Sequence, residues 1–214
     1  MMMMKRDMLG FLVVLPWLSS CAGHRVASEM PASQRRFAGI GCVLVVDAVP
    51  GAAMEAATIY NDRGSKIYAK ANQTYRNKSF MSVGSIYVPQ RVRVIWREKP
   101  KTIWGKDGDL DFEGRIIGDY TIPVAERIPE EVLSDIRSRG GALRLKFRLK
   151  PDGVMFGWDV ERDSKTARVR DPYGGPFTYE MPGGDFKEAD RYNGKIVVKG
   201  WYIDGSGNKI ETDY

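Results

Sequence analysis

The sequence predicts a mainly β fold, an antiparallel sandwich or open barrel, with one short packed helix at about residues 129–139. Two observations carry this prediction. Residues 142–150 alternate between apolar and basic side chains without a fault, and short apolar runs elsewhere are separated by turns rich in Gly and Pro. Only the segment 129–140 carries both the start and the stop signals of a helix. The fold class is therefore β-rich with a single helix packed on the sheet.

A β-hairpin is the clearest predicted element. Its first strand, 142–150, has two faces: Leu143, Leu145, Phe147 and Leu149 on one, and Arg144, Lys146, Arg148 and Lys150 on the other. This pattern is typical of a strand with one buried and one solvated face. Asp152 and Gly153 predict a two-residue turn. The resulting register opposes Leu149 with Phe156, Phe147 with Trp158, Leu145 with Val160, Lys146 with Asp159, and Arg144 with Glu161.

Further strands are expected at 40–46, 91–96, 114–124 and 195–204. The first of these is continuously apolar, so Cys42 within it is predicted to be a core thiol and not a nucleophile. The helix is predicted from Pro129 at its first position, acidic residues at its start, arginines near its end, and Gly140 after it.

The N-terminus has the layout of a secretory signal. Two basic residues, Lys5 and Arg6, precede an apolar run at 8–17 that is too short to span a bilayer. The tetrapeptide Leu18-Ser-Ser-Cys21 resembles the bacterial lipobox, which implies cleavage before Cys21 and acylation of that cysteine. Ala22 stands where the family pattern for retention in the inner membrane has Asp. The expected localisation is therefore the cell envelope, lipid-anchored in the outer membrane and facing the periplasm.

Three segments are predicted along the chain: a signal peptide at 1–20, a lipidated flexible tether at 21–37, and a single β-rich periplasmic domain at 38–214. The formal charge of +6 falls to +5 when the signal is removed. A basic exported protein is expected to meet acidic proteins or anionic headgroups and not nucleic acid.

Histidine is nearly absent, since His24 in the predicted tether is the only one. This excludes a histidine-based triad or zinc site in the domain. Ser206 and Lys209 have the spacing of a Ser-x-x-Lys motif but lie in a Gly-rich turn. The acidic run 107–113 lacks the Gly and Glu that an EF-hand loop requires, because Phe112 and Gly118 stand there. No catalytic residue, metal or cofactor is predicted, and an enzyme is not expected.

Candidate partner contacts are aromatic residues of a Gly- and Pro-rich segment and basic residues near the hairpin turn. They are Tyr173, Phe177, Tyr179, Arg148 and Lys150. The alternatives are that some of the aromatics belong to the core and that the basic stripe is a solvated strand face.

Four segments, 88–97, 118–124, 127–131 and 157–161, resemble a family of small proteobacterial lipoproteins. These lipoproteins are found beside type VI secretion lipase effectors. The resemblance implies an immunity protein whose partner is a secreted lipase effector, and it supplies no catalytic residue. The alternative is a structural or ligand-binding envelope lipoprotein, for example an accessory subunit of a secretion or envelope assembly.

Overall fold

A computed structural model describes residues 32–77, 79–82, 88–105, 108–163, 177–192 and 194–213. These described residues form fourteen strands, two helices and a 3₁₀ turn at Ala125–Arg127. The helices are α1 (Ala32–Arg35) and α2 (Glu130–Arg139). The strands are β1 (Gly41–Ala48), β2 (Ala53–Asn61), β3 (Lys66–Thr74), β4 (Ser79–Ser82), β5 (Arg91–Trp104), β6 (Leu110–Pro123), β7 (Ala142–Lys150), β8 (Gly153–Asp163), β9 (Phe177–Gly184), β10 (Phe186–Lys187), β11 (Asp190–Tyr192), β12 (Lys195–Val198), β13 (Gly200–Ile203) and β14 (Lys209–Thr212).

Two sheets form the body of the domain, which confirms the mainly β prediction and is consistent with a sandwich. A five-stranded sheet has the order β4-β1-β7-β8-β9, and a four-stranded sheet has the order β3-β2-β5-β6. Apolar residues of both sheets share one core, including Leu44, Ile59, Val94, Leu145 and Phe156. One pair departs from the antiparallel pattern, because β1 and β7 run parallel. The long connection between them, which holds the second sheet and α2, permits that crossover.

Helix α2 begins one residue later than predicted, because Pro129 is the N-cap with extended backbone and Glu130 is the first helical residue. The helix buries Val132, Leu133 and Ile136 in the core. It ends where Gly140, at φ +77°, donates its N–H to the Ile136 carbonyl at 2.8 Å. The predicted packed helix is thus present.

The folded domain begins earlier than the predicted boundary at residue 38. Helix α1 lies within the predicted tether, and Gln34 on it is buried and donates to the Val88 carbonyl at 3.0 Å. Phe37 is a member of the core. The segment up to residue 31, with Cys21 and His24, lies outside the described residues. In the described part of the chain, no helix has the length and apolar character needed to cross a bilayer.

The β7–β8 hairpin has a two-residue turn, but the turn residues are Pro151 and Asp152, so Lys150 pairs with Gly153. The predicted register was therefore wrong by two residues, and Phe147 lies opposite Phe156. Proline favours this turn position because its ring holds φ near the value that the second residue of a common turn requires. A shift of two residues keeps every side chain on its predicted face.

The C-terminal strands form two small sheets, β10-β13-β14 and β11-β12. The predicted strand at 195–204 is accordingly divided into β12 and β13. The segment from Ser206 to Lys209 includes a hairpin turn, as predicted, in which Asp204 accepts from the Ser206 and Asn208 N–H groups at 2.9 and 2.8 Å.

Candidate interaction surfaces

The basic face of β7 is buried, which corrects the prediction of a solvated stripe. Arg144, Lys146 and Arg148 are 1%, 1% and 3% exposed. Phe186 of β10 covers part of this face: its ring centroid lies 5.1 Å from the Lys146 ammonium and 4.5 Å from the Arg148 guanidinium carbon. A second layer of structure therefore lies on the side of the five-stranded sheet opposite the main core.

Carboxylates pair with these buried cations. Asp47 on β1 accepts two hydrogen bonds from Arg148 at 2.8 and 2.6 Å, and Glu188 accepts a third at 3.0 Å. Asp159 on β8 lies 2.8 Å from the Lys146 ammonium. We call the set Asp47, Arg144, Lys146, Arg148, Asp159 and Glu188 the buried ionic cluster.

Arg144 completes the buried ionic cluster. It lies 3.2 Å from Asp159, directly opposite it in the observed register, and 3.7 Å from Glu161. Burial opposes the charge of Arg148, but the attraction of Asp47 and Glu188 outweighs burial and raises the pKa of Arg148. The guanidinium therefore remains charged, and its charge is compensated within the protein.

Chemically, the buried ionic cluster is suited to holding parts of the fold together. Its cations already have carboxylate partners, so it is not arranged to receive an external anion. Asp185, which lies between β9 and β10, attaches this part of the chain to β8 and to the 3₁₀ turn. Its carboxylate accepts the Phe156 N–H at 2.7 Å and pairs with Arg127. Among the described residues, no group of three or more potential metal ligands occurs.

The predicted partner contacts fall in different places. Arg148 is buried, which contradicts its prediction as an accessible partner contact. Phe177 and Tyr179 are half-buried on β9, and the Tyr179 ring lies 3.9 Å from the Arg144 guanidinium carbon, which directs it towards the buried ionic cluster. Tyr173 lies outside the described residues. Lys150 is at the surface, 3.2 Å from Asp152, and remains a candidate contact.

Cys42 lies in the core on β1, as predicted, and it is a free thiol. Burial raises its pKa to about 12. A thiol that stays protonated at neutral pH is a poor nucleophile.

Two exposed isoleucines on β6 form a surface that the sequence prediction missed. Strand β6 is an edge of the four-stranded sheet, and Ile116 and Ile117 on it are 41% and 51% exposed. A bulge makes both accessible: Arg97 pairs with Ile116 and Trp96 with Gly118, so Ile117 is the extra residue. Two adjacent isoleucines break the period-two pattern of a strand, and this was the available signal.

Other exposed apolar residues are Trp104 at the end of β5 and a group on the two small C-terminal sheets. The C-terminal group consists of Ile196, Val197, Val198 and Ile210. Such patches are typical of interaction sites when they are contiguous.

Comparison with protein-family models, with curated proteins and with solved structures finds no significant match.

Proposed function

We propose that this chain is a lipid-anchored periplasmic lipoprotein that acts as a protein-binding module, and that it is an immunity protein against a type VI secretion lipase effector. The observation that carries the binding role is the exposed edge strand β6 with Ile116 and Ile117. An edge strand presents backbone N–H and C=O groups that can pair with an added strand of a partner.

The isoleucines add apolar contact area to the backbone groups of this edge. Natural edge strands are commonly protected by charges, prolines or bulges, because a long exposed edge invites pairing with other chains. Here the bulge at Ile117 increases the exposure of an apolar side chain instead of covering it. A buried aliphatic or aromatic anchor at the centre of an interface supplies much of its binding energy.

The anchor supports the cellular location of this module. The lipobox-like Leu18-Ser-Ser-Cys21 supports attachment at the periplasmic face of a membrane. Two or more acyl chains make such an attachment effectively permanent. A lipase that attacks membrane lipids would meet its inhibitor at the surface of its own substrate. The likeness of residues 88–97, 118–124, 127–131 and 157–161 to lipoproteins beside lipase effectors supports this choice of partner.

The residue inventory favours binding over catalysis. The only histidine is His24, in the predicted tether, and Cys42 is a buried thiol with a raised pKa. This disfavours a histidine general base and a cysteine nucleophile, and it leaves carboxylate, lysine or tyrosine chemistry as the routes open to an enzyme.

The test has a genetic and a biochemical arm. Deletion of the gene should sensitise cells to siblings that deliver the effector encoded next to it, and the full chain should bind that effector. Ile117→Lys should weaken binding tenfold or more, since the loss of an anchor of about 2 kcal/mol exceeds the roughly 1.4 kcal/mol that corresponds to tenfold. Ile210→Lys, on β14, is the matched control and should bind normally.

Two outcomes contradict the proposal. A deletion strain that competes normally against effector-positive siblings would refute the immunity role and favour a structural envelope role. If Ile117→Lys and Ile210→Lys reduce the affinity for the effector by the same factor, the assignment of the contact surface to β6 is refuted.

A further inference from the structure

Trp104 is the most exposed large apolar side chain in the described part of the chain, at 73%. It is the last residue of β5 and pairs with Leu110 at the start of β6. This end of the hairpin packs back on the domain: Lys66 donates to the Leu110 carbonyl at 2.7 Å, and Phe112 is buried. The exposed indole therefore lies on a part of the hairpin that is packed against the domain.

A series of contacts connects the point where the chain enters the domain to this end of the hairpin. Gln34 on α1 donates to the Val88 carbonyl. Two residues later, the Gln90 N–H donates to Asp62 at 3.3 Å, and Asp62 belongs to the turn that leads to Lys66. Lys66 in turn contacts the strand beside Trp104. A short series of contacts thus joins α1 to the end of the β5–β6 hairpin.

The length of the preceding chain limits where this end can lie. Ten residues, 22–31, separate Cys21 from Ala32. A chain of that length spans at most about 40 Å at roughly 3.3–3.6 Å per residue. An acylated Cys21 would therefore keep α1 within about 40 Å of the bilayer, and the contacts above connect α1 to the end of the hairpin that carries Trp104.

We propose that Trp104 rests in the headgroup region of the bilayer that holds the acyl chains of Cys21. The inference depends on the lipid anchoring proposed above. Tryptophan suits this position because its ring is apolar while its N–H can bond to headgroups. Tethering also raises the effective concentration of the contact, so one weak insertion is sufficient to orient the domain.

This orientation places the β6 contact surface away from the membrane. Ile116 pairs with Arg97, which is seven residues along β5 from Trp104. At about 3.3 Å per residue, that separation is on the order of 20 Å. The isoleucines would thus face an effector arriving through the periplasm, while Trp104 faces the lipid.

The experiment uses the full-length lipidated protein in vesicles of phosphatidylethanolamine and phosphatidylglycerol, with and without brominated lipid. Brominated lipid should quench the tryptophan emission of the wild type, and Trp104→Phe should lose most of that quenching. Trp201→Phe, on half-buried β13, is the matched control and should keep it. Trp96 and Trp158 are buried and should contribute little.

Sedimentation of the same vesicles after an alkaline wash separates the two possible failures. If the protein sediments with the vesicles but its tryptophan emission is not quenched, the inference alone is overturned. The same holds if the quenching is equal in the wild type and in Trp104→Phe. Protein that stays in the supernatant overturns both the lipid anchoring and the inference. If the Trp104 indole is shielded from water only when the effector is added, Trp104 belongs to the protein interface, and the inference is also overturned.

Discussion

Arg148→Met tests whether the buried ionic cluster holds the fold together. The variant keeps an unbranched apolar stem but removes the guanidinium that pairs with Asp47, and both side chains of this pair are 3% exposed. Removing one member of a buried pair typically costs about 3–5 kcal/mol, because the remaining charge is left without compensation. Since a domain is stable by only about 5–15 kcal/mol, this change should lower the urea midpoint by a large fraction.

A double-mutant cycle separates the pair from general loss of packing. Asp47→Asn combined with Arg148→Met removes both charges. The loss of unfolding free energy in the double variant should therefore be smaller than the sum of the two single losses by about 0.5–3 kcal/mol. Arg93→Met is the matched control, because the Arg93–Asp119 pair is about half exposed and such pairs contribute at most about 1 kcal/mol. Urea unfolding followed by circular dichroism measures each variant. A loss in Arg148→Met no larger than in Arg93→Met would refute the reasoning.

Two further predictions concern stability. Because burial raises the pKa of Cys42 from 9.0 to about 12, only the unfolded chain ionises this thiol between those values, so stability should fall as pH rises through that window. Cys42→Ala should show a shallower fall in urea midpoint over the same range, and equal slopes would contradict the assignment. Gly118→Ala should cost about 1–3 kcal/mol, since its Cβ would overlap the Trp96 ring. Gly205→Ala, which has open space around it, should change stability by less than about 0.5 kcal/mol in the same titration, and equal losses in the two variants would argue against close packing at Gly118.

Local patterns predicted the elements of the fold well. The helix after Pro129, the strand that contains Cys42 and the turn before Lys209 all depend on residues within a few positions of one another. Capping, hydrophobic periodicity and turn chemistry act over that range. The candidate site was predicted less well, because Ile117 and Trp104 owe their exposure to a bulge and to the course of a hairpin.

The sequence alone determined which face of β7 each side chain occupies, because the period of two survives any even shift in register. Its turn signal favoured Asp152-Gly153 over the observed turn at Pro151-Asp152, and the hydrophobic pattern did not correct this error, because both turns keep apolar residues opposite apolar residues. Cross-strand contacts and the geometry of proline made that choice in the folded chain.

Only the tertiary structure decided that the charged face of β7 is buried. An alternating strand is normally read as half-solvated, because isolated charges cannot leave water. Lys146 and Arg144 find Asp159 across the hairpin, but the partners of Arg148 come from distant positions. Asp47 lies about a hundred residues before Arg148, and Glu188 lies forty residues after it. No local window contains both a charge and its partner at such separations. The burial of Arg148 therefore depends on contacts between segments far apart in the sequence, and these contacts form only in the complete fold.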